Sequence, residues 1–193
     1  MGGVKRRGLL LLVGLMLALP CLFWWRHWRL EHSQDGPILA AARRYGMDPA
    51  LVKAVVWRES GFNPRALGRA GEIGLMQLMD AAAQEWAETE HAYPLPEEHL
   101  FHPATNTLAG TWYLRKMLRR YARCDNAMPF ALADYNAGRG NVLKWAQGLA
   151  ATNSAAFLER IGFAGTRAYV SAILERRVRY RGDFPPLTTT NPP

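Results

Sequence analysis

After residue 35, glycine and proline residues recur between the apolar segments of this chain. These helix-breaking residues divide the chain into short segments, and this division constrains its fold more than any other feature. Within the segments, apolar residues lie three and four positions apart, which is the repeat of one helix face, and few stretches alternate with period two. We therefore expect a mainly α domain with at most a small β-hairpin or loop region near 61–80. The spacing predicts helices over 37–45, 49–60, 81–90, 104–123, 128–137, 142–147, 154–161 and 166–179.

The helix over 49–60 ends with a glutamate on its apolar face. Val52, Val55 and Val56 precede Glu59 by seven, four and three residues, so all four side chains share one face, whereas Lys53 is expected on the polar side. Burial disfavours an ionised carboxylate, and the negative end of the helix dipole acts in the same direction. This pattern predicts a Glu59 pKa near ~6, so that the side chain holds a proton at neutral pH. A glutamate that points into solvent is the alternative.

The composition allows one domain with short appendages and a real core, because 49% of the 193 residues are apolar. Lys and Arg outnumber Asp and Glu by 24 to 16, which favours an anionic partner. The basic residues within 115–123 and 176–181 lie opposite apolar helix faces, where solvated surfaces are usual, so we expect no nucleic acid partner. Two cysteines and five histidines without ligand spacing predict neither a metal nor a cofactor.

The first 30 residues have the pattern of a membrane segment. Three basic residues at 5–7 precede an apolar run over 8–25, which is close to the roughly 20 residues of a spanning helix. We expect residues 1–30 to form one uncleaved transmembrane helix, with a cleaved signal segment as the alternative. The remaining chain is then exported, as a single domain over 31–183 followed by a disordered, proline-rich tail over 184–193.

Five stretches occur in a characteristic order along the domain: ESGFNP at 59–64, GEIGLMQLM at 71–79, HPATNTLAGTWYL at 102–114, ADYNAG at 133–138 and TRAYV at 166–170. Together they closely resemble the motifs of the family 1 (SLT-type) lytic transglycosylases, which belong to the lysozyme-like superfamily. The resemblance extends over roughly 36–180. It implies an α+β lysozyme-like fold and a bacterial protein whose domain lies in the periplasm at the inner membrane.

This resemblance implies that the chain cleaves peptidoglycan glycan strands between N-acetylmuramic acid and N-acetylglucosamine. Glu59 would protonate the glycosidic oxygen and then accept the proton of the muramoyl 6-hydroxyl, which closes a 1,6-anhydro ring. An attacking group within the substrate explains why one carboxylate suffices, where ordinary glycoside hydrolysis uses two. A cell-wall-spanning machinery is a possible partner.

The resemblance also implies roles for residues of the first two motifs. Ser60 would support the helix end beside the glutamate, and Gly74 would let the loop backbone approach the sugar closely. Gln77 and Met79 would line the cleft around the scissile bond, whereas Met76 belongs to the core.

Three further residues follow from the later motifs. Tyr135 would form a hydrogen bond near Glu59 and the sugar, and Asn136 would shape the following turn together with Gly138. Tyr169 would close the far wall of the cleft. Ordinary packing is the alternative for both tyrosines and for the cleft methionine.

Five positions differ from the usual sequence of the family, one of them Asp80, which replaces a common proline after the second motif. Gly68 replaces a common serine and Gly165 an acidic residue, so two expected substrate contacts are in doubt. Glu72 stands where a small residue is usual, and Asp134 replaces an alanine. An added carboxylate near Glu59 could orient a water molecule and raise the pKa of Glu59 by repulsion. A solvated helix position for Asp134 and a mobile loop for Glu72 are the alternatives.

Two other functions are alternatives, of which the first would share all of these motifs and the second would be expected to lack the acid. A hydrolytic goose-type muramidase would use water in place of the muramoyl hydroxyl, and a non-catalytic protein would bind peptidoglycan during assembly.

Overall fold

The chain divides after Gln34 into two units in the computed structural model, which describes residues 2–186, with the side chains of residue 16 and of residues 18–186. The first unit is a single helix, α1 (Gly2–His32), with Pro20 inside it. Its described aromatic side chains are exposed, among them Phe23 and Trp24. Among the helices of the described residues, none combines the length and the apolar character of a membrane span. Much of the predicted anchor, over 8–15, lies outside the described side chains.

The second unit is helical, which confirms the predicted mainly α fold. Every helix that the sequence predicts within it is present, and the described part of the chain contains no β-strand. Two isolated antiparallel bridges, Leu67 with Ile73 and Ile73 with Leu78, organise the loop where a small hairpin was expected. The helices are α2 (Asp35–Tyr45), α3 (Pro49–Ser60), α4 (Asp80–Thr89), α5 (Pro103–Arg120), α6 (Ala127–Ala137), α7 (Arg139–Trp145), α8 (Ser154–Arg160) and α9 (Ala164–Tyr180), with 3₁₀ helices at Glu97–Phe101 and Gly148–Ala151.

Helix α3 lies at the centre of this unit, between α2 and α9. Its start is fixed by Asp48, whose side chain accepts a hydrogen bond from the backbone N–H of Ala50 at 2.9 Å, with Pro49 in the first turn. It stops at Gly61, which takes up the left-handed conformation with φ 58°. Residues 49–56 are all buried, so two full turns of α3 form the core beneath Glu59.

Lys53 corrects one prediction for this helix, because its side chain is fully buried and does not face solvent. Its Nζ forms ion pairs with Asp35 at 2.8 Å and with Asp183 at 2.6 Å, and it lies over the ring of Tyr180 at 4.7 Å. Phe184, the first residue of the predicted disordered tail, packs against the core, and the tail from 187 onward lies outside the described residues. A buried cation thus joins the start and the end of the unit to α3.

Asp134 on α6 is also placed differently from both sequence interpretations. Its side chain is only 4% exposed, forms an ion pair with Arg120 of α5 and accepts a hydrogen bond from the Tyr121 hydroxyl at 2.8 Å. A solvated helix position is therefore wrong. Its contacts are with residues of and just beyond α5, so Asp134 ties α5 to α6 and does not serve as a second carboxylate for Glu59.

Candidate active site

Glu59 lies in the last turn of α3 with its carboxyl group partly buried. Burial is the main cause that raises its pKa from 4.5 to about 7, which is the direction that the valine face predicts. The hydrogen bond from Tyr169 and the positive charge of Arg58 lower the pKa, whereas the negative charge of Glu72 raises it. A carboxyl group with this pKa is divided between its acid and base forms at neutral pH, as acid–base catalysis requires.

Tyr169 touches the glutamate directly, a contact that the sequence did not indicate, and its place at the far wall of the cleft stays a prediction. Its hydroxyl on α9 donates a hydrogen bond to Glu59 Oε1 at 2.5 Å, and the side chain is almost completely buried. Burial, and then the charge of Glu59, hold the pKa of Tyr169 well above its usual value. The phenol therefore stays protonated and donates to the carboxylate whenever Glu59 is ionised.

Tyr135 has the role of a loop support in this structure. Its hydroxyl on α6 donates to the backbone oxygen of Met76 at 2.7 Å, so the hydrogen bond expected near Glu59 goes to the loop instead. The ring packs edge-on against Tyr113 of α5, with 5.7 Å between centroids. Burial raises the pKa of Tyr135 well above its usual value, and the charge of Glu59 adds to this. Tyr135 is therefore a second neutral phenol near the carboxyl group.

Ser60 joins the end of α3 to the loop over 61–79. Its hydroxyl lies 3.1 Å from the backbone oxygen of Val56 in its own helix and 2.8 Å from that of Leu75 across the loop. The predicted support of the helix end is thus also an attachment of the loop. It keeps the loop backbone beside the neighbouring Glu59.

Asn106 is a site-building residue to which the sequence analysis gave no role, although it lies within a recognised motif. It is completely buried in α5 and accepts from the backbone N–H of Met76 at 2.8 Å. Its amide donates to the backbone oxygens of Ile73 at 2.9 Å and Leu100 at 2.8 Å. An asparagine in the first turn of a helix, three and four residues before Ala109 and Gly110 on the same face, is the signal that could have identified it, since a buried amide needs partners.

The same contacts explain Gly74, for which the sequence predicted close approach to a sugar. Gly74 is buried at φ 76°, and a Cβ there would lie 2.3 Å from Asn106 Nδ2 and 2.5 Å from the backbone oxygen of Leu100. The absent side chain thus makes room for Asn106 inside the protein. The residue thus shapes the loop from within, and the close approach of its backbone to a sugar stays a prediction.

The predicted cleft residues differ in how firmly they are held. Gln77 has φ 46°, and its amide donates to the backbone oxygens of Ala66 at 3.2 Å and Gly74 at 3.0 Å. Met79 is 47% exposed, just before α4, so its side chain is free to meet a ligand, whereas Met76 is buried as predicted. Asn136 is exposed and accepts a hydrogen bond from the Thr166 hydroxyl at 2.8 Å, which links α6 to α9.

Glu59, Tyr169 and the loop over 61–79, here called the Glu59 cluster, form a stronger candidate for an active site than the other surface features described. A cavity of about 390 Å³ is lined by Arg65, Glu98, Phe101 and His102, and Glu59 lies outside this lining. Within the part of the chain that the structure describes, no group of His, Cys, Asp or Glu has the arrangement of a metal site. The cluster supplies one titrating carboxyl, a phenol that donates to it, and a firmly held loop. This arrangement suits transfer of a single proton in both directions.

Comparison with known families gives a match that covers most of the second unit. A sequence profile described as "Transglycosylase SLT domain" matches residues 36–157. The soluble lytic murein transglycosylase of Escherichia coli K12 is 36% identical over 140 residues, which cover 69% of this chain and 21% of that protein. Membrane-bound lytic murein transglycosylase C of Klebsiella pneumoniae is 35% identical over 119 residues, covering 58% of this chain and 33% of that protein. The chain thus spans a third or less of the length of these relatives.

Solved structures show the same fold. An inactive mutant of the lytic transglycosylase Slt from Pseudomonas aeruginosa, in which a glutamate is replaced by glutamine, superimposes with a TM-score of 0.72 at 28% identity, covering 80% of this chain and 25% of that one. The complex of a 70-kDa soluble lytic transglycosylase with bulgecin A gives a TM-score of 0.70 at 28% identity, with the same coverage.

Proposed function

Because this chain belongs to the transglycosylase SLT domain family, we propose that it is a peptidoglycan lytic transglycosylase. It cleaves the β-1,4 bond between N-acetylmuramic acid and N-acetylglucosamine without water and leaves 1,6-anhydro-N-acetylmuramic acid. The observation that carries the proposal is the Glu59 carboxyl, whose pKa of about 7 lets one group act as acid and then as base. The inactivity of the Pseudomonas aeruginosa glutamate-to-glutamine mutant agrees with such a role.

The reaction proceeds in two proton transfers through the same carboxyl group. Protonated Glu59 donates to the glycosidic oxygen as the bond to the anomeric carbon breaks, and the resulting carboxylate keeps the hydrogen bond from Tyr169. The carboxylate then takes the proton of the muramoyl 6-hydroxyl, whose oxygen bonds to the anomeric carbon. Because the nucleophile belongs to the same sugar, its approach costs little entropy and no second carboxylate is needed.

The remaining site residues divide between cleft and support. Gln77, Met79 and Asn136 bind the glycan from the loop, from the start of α4 and from α6. Supporting positions hold the loop that faces the substrate, through the contacts described above, and Tyr169 holds the catalytic carboxyl. The supporting residues are Ser60, Gly74 and Tyr135.

Digestion of purified cell wall by the full chain tests this function. We expect soluble muropeptides whose ends resist borohydride reduction and whose masses are lower by one water than hydrolysis products. Glu59→Gln abolishes release, whereas the matched Glu88→Gln, an exposed carboxylate on α4, leaves it unchanged. Reducing ends would instead identify a hydrolytic muramidase, and equal release by the wild type and Glu59→Gln would refute the role of Glu59.

Attachment to the inner membrane is a further part of the proposal. It is supported by the basic start and apolar run of residues 1–30 and by the relative named membrane-bound. In fractionated bacteria we expect the full chain in the membrane pellet, with an intact N-terminus by mass spectrometry and the catalytic domain accessible only from the periplasm. A shortened, soluble chain would establish the cleaved signal instead. A cell-wall-spanning machinery as partner stays a prediction from the resemblance.

A further inference from the structure

Glu72 occupies space that exists only because residue 68 is a glycine. A Cβ at Gly68 would lie 2.0 Å from Glu72 Oε2 and 2.9 Å from Gln77 Oε1, so no larger side chain fits there without displacing the carboxylate. The backbone of Gly68 does not take up a left-handed conformation, so its conformation alone does not require glycine. Gly68 and Glu72, which both differ from the usual sequence of the family, are therefore linked, because the Glu72 carboxylate fills the volume that a side chain at residue 68 would need.

The carboxylate of Glu72 is also held in place by the loop backbone. Its Oε2 accepts a hydrogen bond from the N–H of Ala70 at 3.0 Å, and its own carbonyl accepts from the N–H of Gly68 at 2.7 Å. The side chain is partly buried. Glu72 is therefore a fixed negative charge and not a mobile position. It lies in the same loop that Ser60 and Tyr135 hold at Leu75 and Met76.

We propose that Glu72, seated in the space left by Gly68, is a positioning residue that adds to the effect of burial in keeping the proton on Glu59 until the glycosidic oxygen accepts it. The inference rests on the proposed function, since it assigns the electrostatic control of the same acid. Glu72 touches no reacting atom in this scheme. Its effect passes through Glu59.

The charges around Glu59 support this assignment. Arg58 on α3 favours the ionised carboxylate, and Tyr169 on α9 does so through its hydrogen bond. Tyr135 on α6 is a neutral phenol, because burial keeps its pKa well above its usual value. The negative charge of Glu72 in the loop disfavours ionisation of Glu59. It therefore opposes the effect of the positive charge of Arg58 on the pKa of Glu59. Loss of its charge removes that opposition.

Titration of Glu59 in the full chain, without any glycan, tests the proposal. The ¹³Cδ signal of Glu59 is assigned by its disappearance in Glu59→Gln, and its midpoint is measured in wild type, Glu72→Gln, Gly68→Ala and the double variant. We expect a lower midpoint in Glu72→Gln and also in Gly68→Ala, where the new Cβ displaces the carboxylate. In the Glu72→Gln background, Gly68→Ala causes no further shift because no charge remains to be displaced. Glu88→Gln controls for the loss of one distant charge.

The pH dependence of wall digestion adds a second readout. Above the midpoint, each pH unit reduces the protonated fraction about tenfold, so both single variants lose activity at lower pH than the wild type. An unchanged midpoint in Glu72→Gln overturns the proposal, as does an equal shift by Gly68→Ala in both backgrounds. If the midpoints move as expected while the wild type releases no muropeptides, the proposed function fails and the electrostatic coupling stands.

Discussion

The Glu59 carboxyl illustrates at the residue scale how a buried titratable group lowers the stability of the fold that carries it. Its pKa is about 7 in the folded chain against 4.5 in an ordinary glutamate, so the folded state binds the proton more tightly. Between these two values the folded state holds more protons than the unfolded state. The stabilisation is present below pH 4.5 and is lost as the pH rises towards 7.

Glu59→Gln is therefore expected to stabilise the fold at pH 8 while it abolishes activity. An amide of nearly the same shape avoids the burial of a charge, and the linkage between pH 4.5 and 7 amounts to roughly 3 kcal/mol. Urea unfolding of both proteins at pH 4.5 and pH 8 measures this. The advantage of the variant should be small at pH 4.5 and reach about 2 to 3 kcal/mol at pH 8. An advantage that does not change with pH would contradict the raised pKa.

At the scale of elements, the pairing of α5 with α6 depends on a buried ion pair remote from the proposed chemistry. Asp134 is 4% exposed and Arg120 is 26% exposed, so their pair is shielded from water. The pair of Glu85 with Lys116 joins α4 to α5 at the surface, with side chains 45% and 36% exposed. Replacing the carboxylate by an amide at Asp134 and at Glu85 therefore shows how much the burial of an ion pair adds to its effect on stability.

Asp134→Asn should destabilise the chain by about 2 kcal/mol, because it leaves the Arg120 guanidinium without its buried counter-charge. Glu85→Gln should cost less than about 1 kcal/mol, as expected of an exposed pair. Urea unfolding at pH 7 compares them. Equal costs would show that burial of Asp134 adds nothing, and a shifted Glu59 titration in Asp134→Asn would restore it as a second active-site carboxylate.

Which elements and contacts the sequence could predict depends on the distance along the chain. Helix α3, its cap at Asp48, its stop at Gly61 and the apolar face that includes Glu59 arise from neighbouring residues, and all were predictable. Tyr169 is 110 residues from Glu59, so its hydrogen bond depends on the packing of α9 against α3. For the same reason the sequence did not indicate that Tyr169 forms the hydrogen bond to Glu59 while Tyr135 bonds to the backbone of Met76. Gly68 and Glu72 were recognised as separate departures, because their contact appears only once the loop is folded.

At the scale of the whole molecule, Lys53 connects the two ends of the second unit to its central helix. Its Nζ lies within 2.8 Å of Asp35 and 2.6 Å of Asp183, which are far apart in sequence. Removal of such a buried, paired cation is destabilising, because both carboxylates lose their ion pair with Lys53. The fold therefore depends on the side chain of Lys53, which the local sequence pattern predicted to lie on the surface.

Lys53→Met should lower stability by about 2 kcal/mol, since methionine keeps the packing but leaves both carboxylates to find other solvation. For a domain of this size, this corresponds to a fall in Tm of roughly 4 to 8 °C. Lys144→Met, at an exposed position on α7, is the matched control and should change Tm little. Equal melting temperatures for both variants would show that the buried pairs contribute no net stability.

The meeting of Asp35 and Asp183 at one ammonium group has an architectural consequence. Because the chain enters this unit at Asp35 and leaves it near Asp183, close to the same side chain, the unit can be inserted between two neighbouring positions of a larger protein. A circular permutant that joins the two points by a short glycine linker and opens at the exposed Leu149 should keep the backbone of α3 intact. In such a permutant Glu59 would retain its surroundings, although the order of the chain had changed around it.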